Sequence, residues 1–329
     1  MEKPKIAVIM GDATGIGPEI VAKSLATKEA RDLCRPAVVG DARVMRAAVE
    51  LTKVPLKLTI RKSWDEVSWE PGLMEIFDLG NADPAKFRIG EVSPLAGKSC
   101  LEYVEWTIPH VLAGRAKAMV FAPMNKQAMS LGGSRYEAEL EHFAQLTKTE
   151  AFCEINVLDP LWTSRVTSHV GFREIPSLIN PERVLRAITL LHNAMRRSGI
   201  EKPKIAVAAL NPHAGEKGLF GPEEETLIKP GVDKAAAQGI DAKGPFPADT
   251  IFVRARKGEF QGVVTMFHDQ GQIAMKLLGF DRGVTVSGGI PIPIATPAHG
   301  TAHDIAGKGI ADIGALQAAI RVAVRMAIG

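Results

Sequence analysis

Short apolar runs alternate along the chain with stretches whose apolar residues recur at the spacing of a helix. Residues 5–10, 118–122, 205–210 and 263–266 are rich in β-branched and apolar side chains, a pattern typical of strands covered on both faces. Behind the Asn-Pro-Glu sequence that starts at Asn180, the apolar residues share one face, which predicts an amphipathic helix. The alternation of strands and helices predicts an α/β fold with a mostly parallel sheet.

Three of the apolar runs lead to a histidine. His268 follows residues 263–266, His169 ends the run RVTSH, and His213 ends the run IAVAALNPH. In open α/β sheets, ligands bind beyond the carboxyl ends of the strands, so imidazoles at three such ends can converge on one point. Three neutral imidazoles form a divalent-metal site with positions left open for a substrate. The pattern therefore predicts a metal centre.

Two further charged residues, Lys126 and Asp249, are candidates for the site that contains the histidines. Lys126 comes shortly after the predicted strand at residues 118–122, and Asp249 lies in the proline-rich turn GPFPADT. The lysine either is a solvated residue at the start of a helix or binds a carboxylate near a metal. The aspartate either caps the following helix or acts as an acid or base. Both are candidates for catalysis.

The composition indicates a globular enzyme and excludes several other classes. With 329 residues, of which 46% are hydrophobic and 23% charged, the chain can bury the core of one large or two medium α/β domains. The net charge of +3 comes from interspersed charges, without the basic blocks of a nucleic-acid surface. No apolar run approaches the roughly 20 residues that span a bilayer, and no signal-type segment is present.

The three cysteines indicate a reducing compartment. Cys34, Cys100 and Cys153 lie far apart in the sequence and form no pair with metal-site spacing. We interpret them as reduced thiols that fill the core of a cytoplasmic protein.

A glycine-rich loop, GDATGIG, follows the first predicted strand at residues 11–17. It lacks the Lys-Ser/Thr pair of a P-loop and the spacing of a dinucleotide fingerprint, so it does not predict a nucleotide-phosphate site. Two interpretations stay open, a tight connection between strand and helix or a wall of the active site.

Residues 299–312, HGTAHDIAGKGIAD, form a second glycine-punctuated loop, which precedes a predicted closing helix. This loop resembles the NAD-binding loop of the β-decarboxylating dehydrogenases. With it, the motifs MGDATGIGPEI, SHVGFREIP, LNPHAGEKGLFG, GPFPADT and FHDQGQIAMK resemble the 4-hydroxythreonine-4-phosphate dehydrogenase family, from residue 5 to near residue 325.

The resemblance implies an architecture of two α/β domains, the isocitrate/isopropylmalate dehydrogenase-like fold, with the active site in the interdomain cleft. Residues 1–130 together with 282–329 are expected to form the first domain, which carries the NAD-binding loop. Residues 131–281 are expected to form the second domain, with the metal ligands and the dimer interface.

The same resemblance implies NAD-dependent oxidation of a β-hydroxy acid, followed by decarboxylation of the keto acid on a divalent metal ion. His169, His213 and His268 match the family's three metal ligands, which are shared between the two subunits of a homodimer. Zinc is the expected metal, with cobalt, nickel, manganese and magnesium as alternatives. Such an ion favours loss of the alcohol proton and later polarises the ketone. Asp249 and Lys276 are the nearest candidates for acid, base or carboxylate-binding roles.

The dinucleotide contacts come from the loop at residues 299–312. By resemblance, His299 lies near the adenine and Asp304 near the adenosine ribose, and Gly300 also belongs to the cofactor-binding residues. An acidic residue there accepts hydrogen bonds from the ribose hydroxyls and repels the 2′-phosphate of NADP. The resemblance therefore implies NAD.

The sequence departs from the family pattern at the phosphate-substrate site. Glu139-Leu140 stands where the family usually has a His-Thr pair, and Lys276 is retained. Thr285 replaces an asparagine, and Ile294 replaces an arginine. These changes remove hydrogen-bond donors, and Glu139 would repel a phosphate dianion. We therefore expect the family's chemistry on a different small hydroxy acid, with the family's usual substrate as the less favoured alternative.

Three alternative functions are retained. The pair Gly288-Gly289 resembles the terephthalate cis-dihydrodiol dehydrogenases, which also oxidise and decarboxylate a β-hydroxy acid. Related two-domain folds host phosphotransacetylase-like acyl transfer, although the loop that carries Asp304 argues against it. A non-catalytic metal-binding protein is the third alternative, because the substrate pocket is altered.

Overall fold

The structure is a computed structural model that describes residues 3–329, apart from the side chain of Phe280. Its strands are β1 (Lys5–Ile9), β2 (Arg35–Gly40), β3 (Lys57–Arg61), β4 (Leu73–Asp78), β5 (Ala118–Phe121), β6 (Cys153–Leu158), β7 (Leu161–Arg165), β8 (Ile205–Ala208), β9 (Ala242–Phe246), β10 (Gly262–Thr265), β11 (Val284–Gly288) and β12 (Ile294–Pro297). Its α-helices are α1 (Gly17–Ala26), α2 (Lys28–Leu33), α3 (Ala42–Thr52), α4 (Pro94–Leu112), α5 (Lys126–Leu131), α6 (Glu139–Thr147), α7 (Ile175–Leu178), α8 (Pro181–Arg197), α9 (Lys229–Ala237), α10 (Ala248–Arg256), α11 (His268–Gly279) and α12 (Gly314–Ile328).

The first of two compact units comprises the described residues up to Glu150 together with Ile290–Ile328. Its strands are all parallel, in the order β3-β4-β2-β1-β5-β12. The central strand β1 pairs with β2 and β5, and Ile6, Val8 and Ile9 are fully buried. The apolar run at the start of the sequence therefore forms a strand covered on both faces, as its pattern predicted.

The second unit comprises Ala151–Gly289. Its strand order is β11-β6-β7-β10-β8-β9. β7, β10, β8 and β9 are parallel, whereas β6 pairs in antiparallel fashion with β7 and β11. The mostly parallel α/β class is thus confirmed. The resemblance places the corresponding domain boundaries at residues 130 and 281.

Helix α8 begins where the sequence signal predicts. The side chain of Asn180 caps α8 by accepting a hydrogen bond from the main-chain nitrogen of Arg183 at 2.9 Å, and Pro181 occupies the first turn. The stripe that includes Val184 and Ile188 is fully buried. Among residues 3–329, no helix is long and apolar enough to cross a membrane.

The chain around the histidines differs from the predicted pattern in one respect. Asp269, Gln270 and Gly271 are residue types typical of turns and predict a polar turn after His268, whereas the segment from His268 onward is the helix α11. The glycine inside this helix, Gly271, lies against β10, where an added Cβ would come within 3.2 Å of the Thr265 hydroxyl. Close packing between helix and strand therefore explains a glycine that the sequence pattern attributed to a turn.

Candidate functional site

Three adjacent parallel strands of the second unit lead to the three histidines. β10 lies between β7 and β8 and pairs with both. His169, His213 and His268 follow the ends of these strands within five residues. The rings of His169 and His268 have centroids 5.7 Å apart. All three residues therefore lie beyond the carboxyl ends of adjacent strands, and two of the rings lie close together. The run RVTSH was predicted as the strand before His169, but it lies beyond the end of β7 except for Arg165.

The ring of His268 is oriented by its neighbour. Its Nδ1 lies 2.7 Å from Oδ1 of Asp269, so Nε2 is the nitrogen left for a ligand. Gln270 holds the preceding turn, because its Oε1 accepts a hydrogen bond from the nitrogen of Met266 at 2.8 Å and its Nε2 donates to the carbonyl of Ala209 at 2.9 Å. The HDQ sequence thus fixes the start of α11 against the end of β8.

His213 begins a left-handed helical turn. From His213 to Lys217 every φ is positive, between 42° and 76°. Only Gly215 adopts this conformation freely, and each other residue costs roughly 1 kcal/mol or more. Such strain persists only where the surroundings hold it, and it concentrates at functional sites. The His213 side chain is exposed, with its ring centroid 6.3 Å from that of Phe220.

Buried Glu224 holds the entrance to this turn. Its Oε1 accepts hydrogen bonds from the main-chain nitrogens of Leu210 at 2.9 Å and Asn211 at 2.7 Å, and its Oε2 accepts one from Nδ2 of Asn211 at 3.0 Å. A Cβ at Gly215 would lie only 2.6 Å from the Glu224 carboxylate, so glycine is required there. Glu224 also starts the π-helical segment Glu224–Ile228, a form frequent at functional sites.

The donor set fits a divalent metal ion by its chemistry. His169 and His268 offer neutral imidazoles, and Asp269 stands behind one of them as carboxylates stand behind metal-binding histidines. In the part of the chain that the structure describes, no group of three or more His, Cys, Asp or Glu side chains could hold a metal ion. The three-histidine centre with ligands from two subunits stays a prediction.

The predicted dinucleotide loop, which follows β12 in the first unit, is held to α1 by two charged side chains. The carboxylate of Glu19 accepts hydrogen bonds from the nitrogens of Gly309 at 3.0 Å and Ala311 at 3.1 Å. Nζ of Lys23 donates to the carbonyls of the same two residues, at 3.2 Å and 2.6 Å. The loop backbone is therefore fixed in place by side chains, with Asp304 exposed.

The predicted adenine contacts lie at the start of this loop. Nδ1 of His299, a half-buried residue, lies 3.0 Å from the carbonyl oxygen of Gly300, which is exposed. Further along the loop, Nζ of Lys308 donates to the carbonyl of Asp304 at 2.8 Å. The exposed carboxylate of Asp304 suits the two hydroxyls of a ribose.

The GDATGIG loop packs directly against the dinucleotide loop. The nitrogen of Ile16 donates to the carbonyl of Thr301 at 3.0 Å, and a Cβ at Gly15 would lie 2.8 Å from Cβ of Thr301. The hydroxyl of Thr14 lies 3.3 Å from Nε2 of His303. The GDATGIG loop therefore contacts residues 301 and 303 of the predicted dinucleotide loop, and its role as a wall of the active site stays a prediction.

Comparison with known proteins then identifies the family. The model described as "Pyridoxal phosphate biosynthetic protein PdxA" matches residues 32–323. The chain belongs to the PdxA family. A putative 4-hydroxythreonine-4-phosphate dehydrogenase 2 from Pseudomonas aeruginosa is 45% identical to this PdxA-family chain, over 98% of the chain and 97% of the relative. The D-threonate 4-phosphate dehydrogenase of Cupriavidus necator is 41% identical, over 98% and 97%.

A solved structure agrees with these relatives. The crystal structure of 4-hydroxythreonine-4-phosphate dehydrogenase from Klebsiella pneumoniae superposes with a TM-score of 0.89 at 37% identity, covering 99% of this chain and 98% of that one. The resemblance drawn from the sequence motifs is therefore confirmed. The names of the relatives place the PdxA-family chain among the oxidoreductases.

The predicted acid, base and carboxylate-binding residues of this PdxA-family chain all lie on helices. Asp249 is in the first turn of α10 and Lys276 is in the last turn of α11, both exposed in the second unit. Lys126 is the exposed first residue of α5 in the first unit, where the side chain of Asn125 caps the helix by accepting from the nitrogen of Ala128 at 2.8 Å. The helix-start interpretation of Lys126 is thus confirmed, and its catalytic role stays a prediction.

The altered substrate residues of the PdxA-family chain have contrasting environments. Half-buried Glu139 and buried Leu140 begin α6, and Ile294 is fully buried at the start of β12. Burial raises the pKa of the Cys100 thiol well above its usual value, and the charges of Asp12 and Glu139 raise it further. Glu139 is therefore within electrostatic reach of Cys100 in α4, as Asp12 is.

A buried polar network in the second unit was not predicted. Asn156 accepts hydrogen bonds through Oδ1 from Arg165 at 2.9 Å and from Gln272 at 2.6 Å, and its Nδ2 donates to the hydroxyl of Thr285 at 3.2 Å. Arg165 also donates to the hydroxyl of Ser168 at 2.9 Å, next to a histidine of the site. The sequence signal was a polar residue inside each of three apolar strands, which marks a satisfied buried network.

Proposed function

We propose that this PdxA-family protein is a divalent-metal- and NAD-dependent dehydrogenase that oxidises and decarboxylates a β-hydroxy acid other than 4-hydroxythreonine-4-phosphate. The observation that carries the proposal is the pair of imidazoles, His169 and His268, at the ends of adjacent strands in a chain of this family. Oxidation transfers a hydride from the hydroxyl-bearing carbon to NAD and releases a proton. Decarboxylation then releases carbon dioxide, and the product takes up a proton.

The histidines would hold the cation, with His213 supplied by the partner subunit. A bound divalent cation supplies Lewis-acid stabilisation of negative charge on the substrate oxygen, an effect of about several kcal/mol. Asp269 keeps the Nε2 of His268 directed to a ligand, because its carboxylate holds Nδ1. Asp249 and Lys276 are the candidates to move protons or to bind the substrate carboxylate, since both are exposed side chains of the same unit.

The altered residues of the pocket support a changed substrate. Glu139 brings negative charge where a phosphate dianion would need a donor, and Leu140 offers no hydrogen bond. Ile294 is fully buried in its strand, and the hydroxyl of Thr285 already accepts a hydrogen bond from Asn156. A hydroxy acid with an uncharged distal group suits these side chains better than a phosphate ester does.

Exposed apolar side chains support a homodimer that completes the site. Ile273 and Leu277 lie one turn apart on α11, the helix that begins at His268, and are 59% and 84% exposed. Phe172, close in sequence to His169, is 77% exposed. Large apolar side chains exposed beside a site mark a surface for a partner. A second copy of the chain would cover them and supply the third imidazole.

The function is tested by incubating the purified protein with NAD, zinc or cobalt, and matched hydroxy acids with and without a phosphate. 4-Hydroxythreonine-4-phosphate and D-threonate 4-phosphate should be included, because the relatives carry those names. We expect NADH and carbon dioxide only with metal, and faster turnover of an unphosphorylated acid. Activity that survives complete chelation would exclude the three-histidine mechanism. Failure to bind NAD in calorimetry would favour acyl transfer instead.

The shared site is tested by mixing two inactive variants, His213→Ala and His268→Ala. If these ligands come from different subunits, a mixed dimer retains one intact site. Random reassociation of equal amounts should restore about a quarter of the wild-type activity, since half the dimers are mixed and each has one of two sites. No recovery after verified subunit exchange would place both ligands in one chain.

A further inference from the structure

Asp12 lies at the point in the first unit where a ligand is expected on topological grounds. β1 lies between two neighbours, β2, which is the next strand along the chain, and β5, which comes later. The order of the strands therefore reverses direction at β1. Ligands of open α/β sheets bind outside the carboxyl ends of the strands at such a switch point. Asp12 follows the end of β1, and its nitrogen donates to the carbonyl of Pro123, just beyond β5, at 3.0 Å.

The carboxyl group of Asp12 is fully buried and only half satisfied. Its Oδ1 accepts hydrogen bonds from the nitrogen of Thr14 at 2.8 Å and from the Thr14 hydroxyl at 2.7 Å. Its Oδ2 has no hydrogen bond of normal geometry among the described residues, and the main-chain amide of Asn125 interacts with the carboxyl group more weakly than Thr14 does. A buried polar atom in this state costs free energy, so its retention calls for a functional explanation.

Thr14 connects this carboxyl group to the dinucleotide loop. Because its hydroxyl donates to Asp12, the same oxygen accepts from Nε2 of His303, 3.3 Å away. The loop segment before His303 is also fixed, since the nitrogen of Ile16 donates to the carbonyl of Thr301. Thr14 therefore accepts the Nε2 hydrogen of His303 and orients the ring of that histidine.

We propose that Asp12 is a positioning residue that acts through Thr14 on His303 and holds residues 299–304 in the conformation that binds the dinucleotide. The inference rests on the proposed function, which assigns NAD to this loop. Asp12 itself does not touch the reacting atoms, because its carboxyl group is buried beneath Thr14. The GDATGIG loop would then contribute to cofactor binding indirectly, without binding a phosphate and without contacting the ligand.

The test compares Thr14→Val, which removes the hydroxyl at constant shape, with Thr14→Ser, which keeps it. NAD binding is measured by calorimetry. We expect Thr14→Val to weaken NAD binding roughly tenfold, the loss of about one hydrogen bond, and Thr14→Ser to restore it. The KM for NAD should rise with little change in kcat, and the KM for the hydroxy acid should stay the same, which general loosening of the fold would not produce.

A double-mutant cycle isolates the connection to His303. His303 is half-exposed, so the His303→Gln variant should fold normally. Adding Thr14→Val to His303→Gln should weaken NAD binding no further, because the two changes break the same chain of contacts. Additive losses, or wild-type binding by Thr14→Val, would overturn the inference and leave the proposed function standing. A wild-type protein that binds neither NAD nor NADP would overturn both.

Discussion

Glu224 accepts two hydrogen bonds from Asn211, one from the main-chain nitrogen at 2.7 Å and one from Nδ2 at 3.0 Å. Asn211 lies immediately before the segment in which His213 and the four residues after it are left-handed. Buried main-chain amides need partners, and here a side chain from a later helix supplies them. The pair therefore stabilises the strained conformation of the segment that carries His213.

We predict that Glu224→Ala destabilises the protein by about 2 kcal/mol, because it leaves the half-buried amides of Leu210 and Asn211 without this acceptor. Glu224→Gln keeps one oxygen and should cost about 1 kcal/mol. Urea unfolding measures both values. Glu225→Gln removes the exposed neighbouring charge and is the matched control, with stability close to wild type. Equal stability of Glu224→Ala and the control would contradict the anchoring role.

Asp269→Asn tests the orientation of His268. The asparagine preserves the size of the side chain but holds the imidazole Nδ1 hydrogen less strongly than a carboxylate does. We predict a loss of about 10-fold to 100-fold in cobalt or zinc affinity, the usual effect of removing such a partner. Competition titration with a chromophoric chelator measures it. Asp233→Asn, at an exposed ion pair with Lys229 in the same unit, should leave the affinity unchanged.

Asp12 should make the stability of the protein depend on pH. Burial raises the pKa of Asp12 above its ordinary value of 3.8, and the hydrogen bonds from Thr14 and the charge of His303 only partly oppose this. The folded state therefore holds this proton more tightly than the unfolded state. The resulting stabilisation is complete below the ordinary pKa and is lost as the pH rises through the raised value.

Asp12→Asn removes this titration and keeps an oxygen for the two Thr14 donors. We predict that the free energy of unfolding of the wild type falls relative to the variant as the pH rises above the ordinary pKa of 3.8. Denaturant melts at several pH values measure the difference. The charge of His303 acts on this carboxyl group, and the carboxyl group acts on the thiol of Cys100, so the comparison is repeated in a His303→Gln background. Parallel curves for the two proteins would mean that Asp12 does not titrate in this range.

The sequence predicted the part of the site that follows from strand order. The apolar runs that lead to His213 and His268 proved to be the adjacent parallel strands β8 and β10, because buried parallel strands leave a clear apolar pattern and end at a common edge. The run RVTSH that ends at His169 is not a strand, because β7 ends at Arg165, its first residue. The resemblance of several motifs then identified the family. Local pattern and motif were sufficient for both conclusions.

Contacts between distant segments could not be predicted in this way. The left-handed turn at His213 contains only one glycine, and its anchor, Glu224, belongs to a later helix. The GDATGIG loop was left between two interpretations because its partner, His303, lies 289 residues from Thr14 along the chain. Hydrogen bonds of this kind leave no periodic signal in a single sequence, since each partner has an ordinary local context.

The last prediction concerns substrate charge. Glu139→His combined with Leu140→Thr restores the pair that the family usually carries, replacing a negative charge and an apolar side chain with hydrogen-bond donors. We predict that kcat/KM for a phosphorylated hydroxy acid rises by roughly tenfold or more relative to its unphosphorylated counterpart, because about 1.4 kcal/mol of discrimination corresponds to a factor of ten. Glu141→Gln removes a negative charge two positions away in the same helix and should leave the ratio unchanged if position 139 is the determinant.

Ile294 is left intact in this design, since an arginine at a fully buried strand position would unfold the protein and hide the effect on specificity. An unchanged ratio in the double variant, with its fold verified, would show that charge at Glu139 does not exclude phosphate and that the preference of this protein arises elsewhere.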